Sequence, residues 1–133
     1  MPNIAQIFWE QVELRKSAPF LSSRSSNRPE YKSISWQEAG SQTAQLIKHL
    51  TNLNIHDGTQ IAIFSRNSHK WIICDMAILS SKAITIPIYQ SSTAQDLVNY
   101  FNICEIEIMF IEDPSKLKGP KLPNLKTIIL LDE

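Results

Sequence analysis

The chain has 133 residues, 13 basic against 13 acidic side chains, 43% hydrophobic and 20% charged residues, and only three glycines, Gly40, Gly58 and Gly119. These totals describe a globular domain rather than a disordered tail, and they offer no electrostatic attraction to nucleic acid or an anionic membrane. Glycines so widely spaced exclude a Walker loop, a G-x-G turn and a G-x-S-x-G elbow, because consecutive N–H groups converge on an anion only where close-set glycines relieve the backbone.

In chain order, the start MPNIAQIFWEQ has neither the basic head nor the long apolar run of a secretory signal. Asn3 with Gln6, Ser35 with Glu38 and Ser92 with Gln95 have capping-box spacing, and each predicts a helix start. After Ser35, the positions Ala39, Thr43, Leu46, Ile47, Leu50 and Leu53 lie on one helical face. The polar run Leu21 to Glu30 reads as a loop or a loose hairpin, with a short strand from Tyr31 to Ile34 after it. His56-Asp57-Gly58 is a predicted turn. A helix from about Ser68 to Ser81 is apolar nearly all round at Trp71 to Cys74, which predicts deep packing. The last helix, about Thr93 to Asn102, sets Leu97, Val98 and Phe101 on one side.

Short β-branched runs separate these helices: Gln60 to Phe64, Ala83 to Ile88, Glu107 to Ile111 and Thr127 to Leu131. The alternation predicts an α/β fold, a parallel sheet with flanking helices. Residues 1–58 form a helical region with a short strand, and 59–133 a βαβαβ sheet unit. No apolar stretch approaches the roughly 18 residues that span a bilayer, since Trp71 to Leu79 is broken by Asp75. Cys74 and Cys104 read as buried free thiols. The expected location is the cytoplasm, with attachment to a membrane surface left open.

Ligands of open parallel sheets gather outside the carboxyl ends of the strands, here Ser65-Arg66-Asn67, Tyr89-Gln90-Ser91 and Glu112-Asp113. Arg66 and Asn67 are candidates for a phosphate or carboxylate, against the favoured reading that Asn67 caps the next helix and Arg66 is solvated. Tyr89 is expected to pack rather than to line a pocket. Glu112-Asp113, followed by Pro114, reads as the start of a loop, and a metal would need a third ligand that the sequence does not place. His49, His56 and His69 lack i, i+4 ligand spacing and read as surface histidines. Lys116, Lys118, Lys121 and Lys126 read as a solvated, mobile segment. No catalytic, cofactor-binding or metal-ligating residue is therefore assigned.

The stretch Ile61-Ala62-Ile63-Phe64-Ser65-Arg66-Asn67 with Trp71, then Asp75-Met76-Ala77, Ala83 to Tyr89 with Pro87, and Ser92-Thr93-Ala94-Gln95 resembles the N-terminal region of the adenylate-forming enzymes. It is most similar to the long-chain fatty acyl-CoA synthetases, over about Asn3 to Glu133. Their pattern runs V-A-I-x-S-x-N-x-x-x-W, then D-x-A-x-x-x-x-G-A-x-x-V-P-x-Y-P-T, then a T-A-E helix. The resemblance implies an incomplete N-terminal portion of that fold. Its complete members use ATP and magnesium to turn a fatty acid into an acyl-adenylate, and then pass the acyl group to coenzyme A.

The family's phosphate loop ending in P-K-G, its Tyr-Gly-x-Thr-Glu segment, its ribose-binding aspartate and its catalytic lysine all lie downstream of the matched region. Neither Lys82 nor Lys121 occupies the lysine's motif, so no catalytic residue carries over. The implied reading is a truncated fatty acid–CoA ligase-like chain, inactive alone and paired with a separately encoded C-terminal remainder or none. The alternative is a stand-alone, non-catalytic α/β module. Within the match, Lys82 replaces the family's glycine, Gln90-Ser91 its Pro-Thr, and Gly58-Thr59 its Gly-Asp turn. Lys82 is expected to send its stem along the surface.

Overall fold

The computed structural model describes residues 1–24 and 27–131. Ser25 and Ser26, within the segment read as a loop, and Asp132 and Glu133 lie outside the described residues. Helix α1 (Ile4–Arg15) starts on a full capping box: Gln6 N–H donates to Asn3 Oδ1 and Asn3 N–H to Gln6 Oε1, each at 2.9 Å. Strands β1 (Pro19–Arg24) and β2 (Tyr31–Ser35) pair antiparallel. Of the two readings of the polar run the hairpin holds, with Leu21–Arg24 in strand, and the first 58 residues carry two strands where one short strand was expected. The sequence lacked an alternating apolar signal there because the hairpin is anchored at its base instead, by Phe20 stacked on Trp36 with ring centroids 3.8 Å apart.

Helix α2 (Trp36–Asn52) follows from the Ser35–Glu38 box and buries Ala39, Gly40, Thr43 and Leu50. The buried Thr43 hydroxyl donates to Ala39 O at 2.7 Å, which satisfies it without a partner from outside the helix. Helix α1 crosses α2 at Gly40, and the Trp9 indole N–H reaches Ser80 Oγ at 3.0 Å.

The remaining chain alternates β3 (Gln60–Phe64), α3 (His69–Ser80), β4 (Ile84–Ile88), α4 (Ala94–Ile103), β5 (Ile106–Ile111) and β6 (Thr127–Leu130). All four strands are parallel in the order β4-β3-β5-β6. The chain leaves β3 toward β4 through α3 on one face and returns across β3 through α4 on the other. Ile61, Ile63, Ile108 and Phe110 pack with α2 and α3, while Ala62, Phe64, Met109 and Ile111 pack with α4. A bulge makes that division possible. Ile106 pairs with Gln60 and Ile108 with Ile61, so Glu107 is the extra residue, and Ile106 and Ile108 turn to opposite faces.

Two helix starts lie one residue from the predicted place. Thr93, not Ser92, caps α4, accepting from Asp96 N–H at 3.1 Å and donating its own N–H to Asp96 Oδ2 at 2.8 Å. Ser92 is already committed to a turn, its N–H donating to Tyr89 O at 2.9 Å. Ser68, not Asn67, caps α3, with Trp71 N–H donating to its Oγ at 3.4 Å.

Helix α3 ends in a Schellman arrangement: Lys82 N–H donates to Leu79 O and Ala83 N–H to Ile78 O, both at 3.2 Å. That closure places Lys82 in the left-handed region at φ +57°. Its side chain is exposed, as its expected path along the surface requires.

Candidate functional site

A parallel sheet offers a ligand crevice where neighbouring strands send their connections in opposite directions. Here that point lies between β3 and β5. Ser65-Arg66-Asn67 leave one strand and Glu112-Asp113 the other.

The structure brings Arg66 and Glu112 together across this crevice. Arg66 Nε lies 2.8 Å from Glu112 Oε1, and Arg66 backbone N–H donates to Oε2 at 3.1 Å. Glu112 N–H in turn donates to Phe64 O at 3.2 Å, which extends the β3–β5 pairing by one step. Arg66 is therefore tied to a carboxylate rather than solvated as expected. The ion pair sits half in water, where such pairs contribute about 0–1 kcal/mol; its effect is to hold the two strand ends together through Arg66 Nε. Ser65, buried, donates its hydroxyl to Arg66 O at 2.9 Å. Asn67 is exposed.

Lys116 comes from a short 3-10 turn (Pro114–Leu117) after β5, where Asp113 caps the turn by accepting from Ser115 N–H at 3.0 Å and Ser115 Oγ at 2.6 Å. These two bonds hold the Asp113 carboxyl below its ordinary range. The Lys116 ammonium donates to Gln90 O and stands 5.1 Å from the Phe64 ring centroid. Lys126 pairs with Glu107 at 3.2 Å. Part of the lysine segment expected to be solvated and mobile is thus fixed to the sheet. Tyr89, expected to pack, is 81% exposed, because β4 is an edge strand and the turn to Ser92 swings the ring away from the core.

Other candidates are dispersed. His49 and His56 are exposed, but His69 is half-buried, and its Nδ1 is enclosed without a hydrogen-bond partner. Cys74 is buried, and desolvation pushes its thiol up to about 12, which leaves it inert. Cys104 is only half-buried, at the end of α4, short of the expectation for both thiols. Among the described residues, no three histidine, cysteine or acidic side chains gather into a metal-sized group. An open groove of about 1110 Å³ runs between α1 and the end of α3, lined by Met1, Ala5, Trp9, Leu14, Leu79 and Lys82. It lies away from the carboxyl edge, and its polar lining includes Glu10, Glu13 and Ser80.

The sequence model of the family described as AMP-binding enzyme matches residues 8–133. The chain belongs to that family. Long-chain-fatty-acid–CoA ligase 5 of Rattus norvegicus is 24% identical over 143 aligned residues, covering 98% of this chain and 20% of the relative. Long-chain-fatty-acid–CoA ligase FadD15 of Mycobacterium bovis is 32% identical over 82 residues, covering 62% of this chain and 14% of the relative. The chain thus spans a fifth or less of the length of these two curated relatives. Among solved structures, a Mycobacterium tuberculosis fatty acyl CoA synthetase superposes with a TM-score of 0.85 at 14% identity, over 98% of this chain and 26% of that one. The N-terminal domain of FACL13 from Mycobacterium tuberculosis superposes at 0.86, also with 14% identity, over 99% of this chain and 34% of that one. At that identity the likeness carries the fold: a four-stranded parallel sheet and its helices, matching the N-terminal part of those proteins.

The family's name implies a nucleotide, and the residues at this carboxyl edge do not fit one. Arg66 and Lys116, the cations that reach it, are engaged by Glu112 and by Gln90 O. Asp113 accepts both Ser115 bonds at Oδ1, and the two Glu112 oxygens accept from Arg66. Of the glycines, Gly40 lies inside α2, and Gly58 and Gly119 stand singly in turns. The loop after β3, Ser65-Arg66-Asn67, contains none.

Proposed function

We propose that this chain is the N-terminal part of a fatty acid–CoA ligase-like protein, and that alone it forms no acyl-adenylate. The observation that carries the reading is the match of nearly the whole chain to a fifth of a ligase's length, joined to a carboxyl edge whose charged groups satisfy one another. A carboxylate is activated by positioned charge on the departing phosphates, and here the Arg66 charge is paired with Glu112. The complete relatives' substrates, fatty acid, ATP and coenzyme A, belong to this reading only through the remainder of the ligase.

Pyrophosphate exchange measured with ATP, magnesium and palmitate tests it. The expected rate is that of the buffer blank, and exchange above the blank by this chain alone overturns the inactivity. Translation of the flanking DNA in all frames tests the rest: a Ser/Thr-Gly-rich loop followed by Pro-Lys supports a divided ligase, and its absence favours a stand-alone module. Among the described residues, no helix is long and apolar enough to cross a membrane. The two unpaired cysteines accord with a cytoplasmic location.

A further inference from the structure

We infer that the connection from β5 to β6 is a hinged strap at the carboxyl edge, latched by Lys116 and able to open while the sheet stays intact. It stands apart from the ligase reading, because the strap begins and ends on strands of the same sheet.

Strands β5 and β6 run parallel, so the chain between them must return from the carboxyl edge to the amino edge. The two earlier returns are made by α3 and α4, whose backbone groups are satisfied within each helix. The last return has only the 3-10 turn Pro114–Leu117, followed by an irregular run to Lys126. Its two ends are tied down. Lys116 N–H donates to Asp113 O and Lys118 N–H to Ser115 O, both at 3.3 Å, and Lys126 N–H donates to Glu107 O at 2.8 Å. Between these ends, among the described residues, Gly119 to Leu125 enter no backbone–backbone hydrogen bond. Side chains hold the stretch instead: Leu117, Leu122 and Leu125 rest, half-buried, on the apolar cluster of Phe64, Phe101 and Met109.

Lys116 is the polar fastening. Its ammonium stands over the Phe64 ring at the end of β3 and donates to Gln90 O just beyond β4. One side chain from the loop after β5 thus reaches across β3 to the end of β4, following the strand order. Two left-handed residues, Gly119 at φ +99° and Asn124 at φ +68°, mark where the strap turns and where a swing is absorbed. Few hydrogen bonds, half-wet apolar anchors and one cationic fastening are the features of a segment that opens locally at lower cost than the sheet unfolds. Opening lifts the three leucines and uncovers the cluster on the α4 face.

Trypsin tests this, because Lys118 and Lys121 lie exposed in the strap between the leucine anchors. A protease must draw several residues on each side of the cut into its cleft, so the cutting rate follows the population of the open strap. In the 133-residue chain, cleavage at these two lysines, timed by mass spectrometry, should vary little with urea below the unfolding transition, since lifting the strap exposes little surface. Lys116→Met should speed it about tenfold. Exchange of the Ile63 and Phe110 amide hydrogens should stay as slow as in the unaltered chain. Unchanged cleavage in Lys116→Met overturns the latch. Cleavage of the unaltered chain that rises with urea as steeply as global unfolding overturns the strap as a separate unit. So does a loss of protection at Ile63 and Phe110 that matches the gain in cleavage.

Discussion

The crossing of α1 over α2 and the turns at the amino edge of the sheet both call for glycine, for unrelated reasons. At the crossing, a Cβ on Gly40 would stand 2.8 Å from Val12 Cγ1 and 3.2 Å from Cγ2, so the demand is for space. At the amino edge, Gly58 has φ +85° and a Cβ there would meet nothing within 4 Å, so the demand is purely conformational. Lys82 lies beside it, its carbonyl accepting the Gly58 N–H at 2.8 Å, and has φ +57°. Two adjacent strands thus enter the sheet through neighbouring left-handed residues, one a glycine and one a lysine. Topology sets the backbone requirement, and the side chain then decides only what meeting it costs.

The largest effect should come from breaking the spatial case. Gly40→Val places a stiff branched side chain against another, and is expected to destabilise the fold by about 2 kcal/mol, as overpacked cores do. Adding Val12→Ala should return part of that loss, because it removes the two methyl groups in conflict. Urea unfolding at one fixed protein concentration measures both, and additive losses in the double variant would contradict the contact.

The conformational pair should respond with opposite signs. Gly58→Ala puts a Cβ into left-handed backbone and should cost about 1 kcal/mol, with no rescue available from neighbouring residues. Lys82→Gly should gain about 0.5 kcal/mol: relief of the left-handed strain exceeds the extra chain entropy glycine brings to the unfolded state. If Lys82→Gly destabilises instead, the Lys82 stem makes packing contacts that outweigh its strained φ.

This comparison also shows what a sequence can and cannot disclose. The boxes at Asn3–Gln6 and Ser35–Glu38 were legible because each is complete within four residues. At α4 the same rule was ambiguous: Ser92-Thr93-Ala94-Gln95-Asp96 contains two overlapping boxes, and the turn from Tyr89 to Ser92 selects the later one. The carboxyl edge was legible as a place, since strand ends follow from the alternating pattern. Its pairing was not, because Arg66 and Glu112 are 46 residues apart and meet only through the strand order that sets β3 beside β5. Lys82 was legible as a departure from a family glycine. That the departure concerns φ, rather than close approach of helix to strand, is visible only in the backbone.

The smallest expected effect lies at the opposite end of the same helix. His69, the first residue of α3, has its charged form disfavoured chiefly by burial, then by Lys70 and by Lys32 on the hairpin, so its pKa falls below 6.5. The enclosed Nδ1 has no partner, and leaving it as an unprotonated nitrogen is cheaper there than forcing a second N–H into the same space. In the unfolded chain the ring protonates nearer its ordinary value, so between the two pKa values the unfolded state binds more protons. The contribution of His69 is therefore fully present above pH 6.5 and is lost as pH falls through its lower folded value. Stability measured from pH 7.5 down to about 5 should decline more steeply in the natural chain than in His69→Gln, whose neutral amide does not titrate. Equal slopes would mean that His69 protonates as readily in the folded chain as in the unfolded one. The hairpin's Lys32 would then exert no electrostatic hold on the start of α3, and the ends of this helix would differ in kind: one governed by backbone strain at Lys82, the other indifferent to charge.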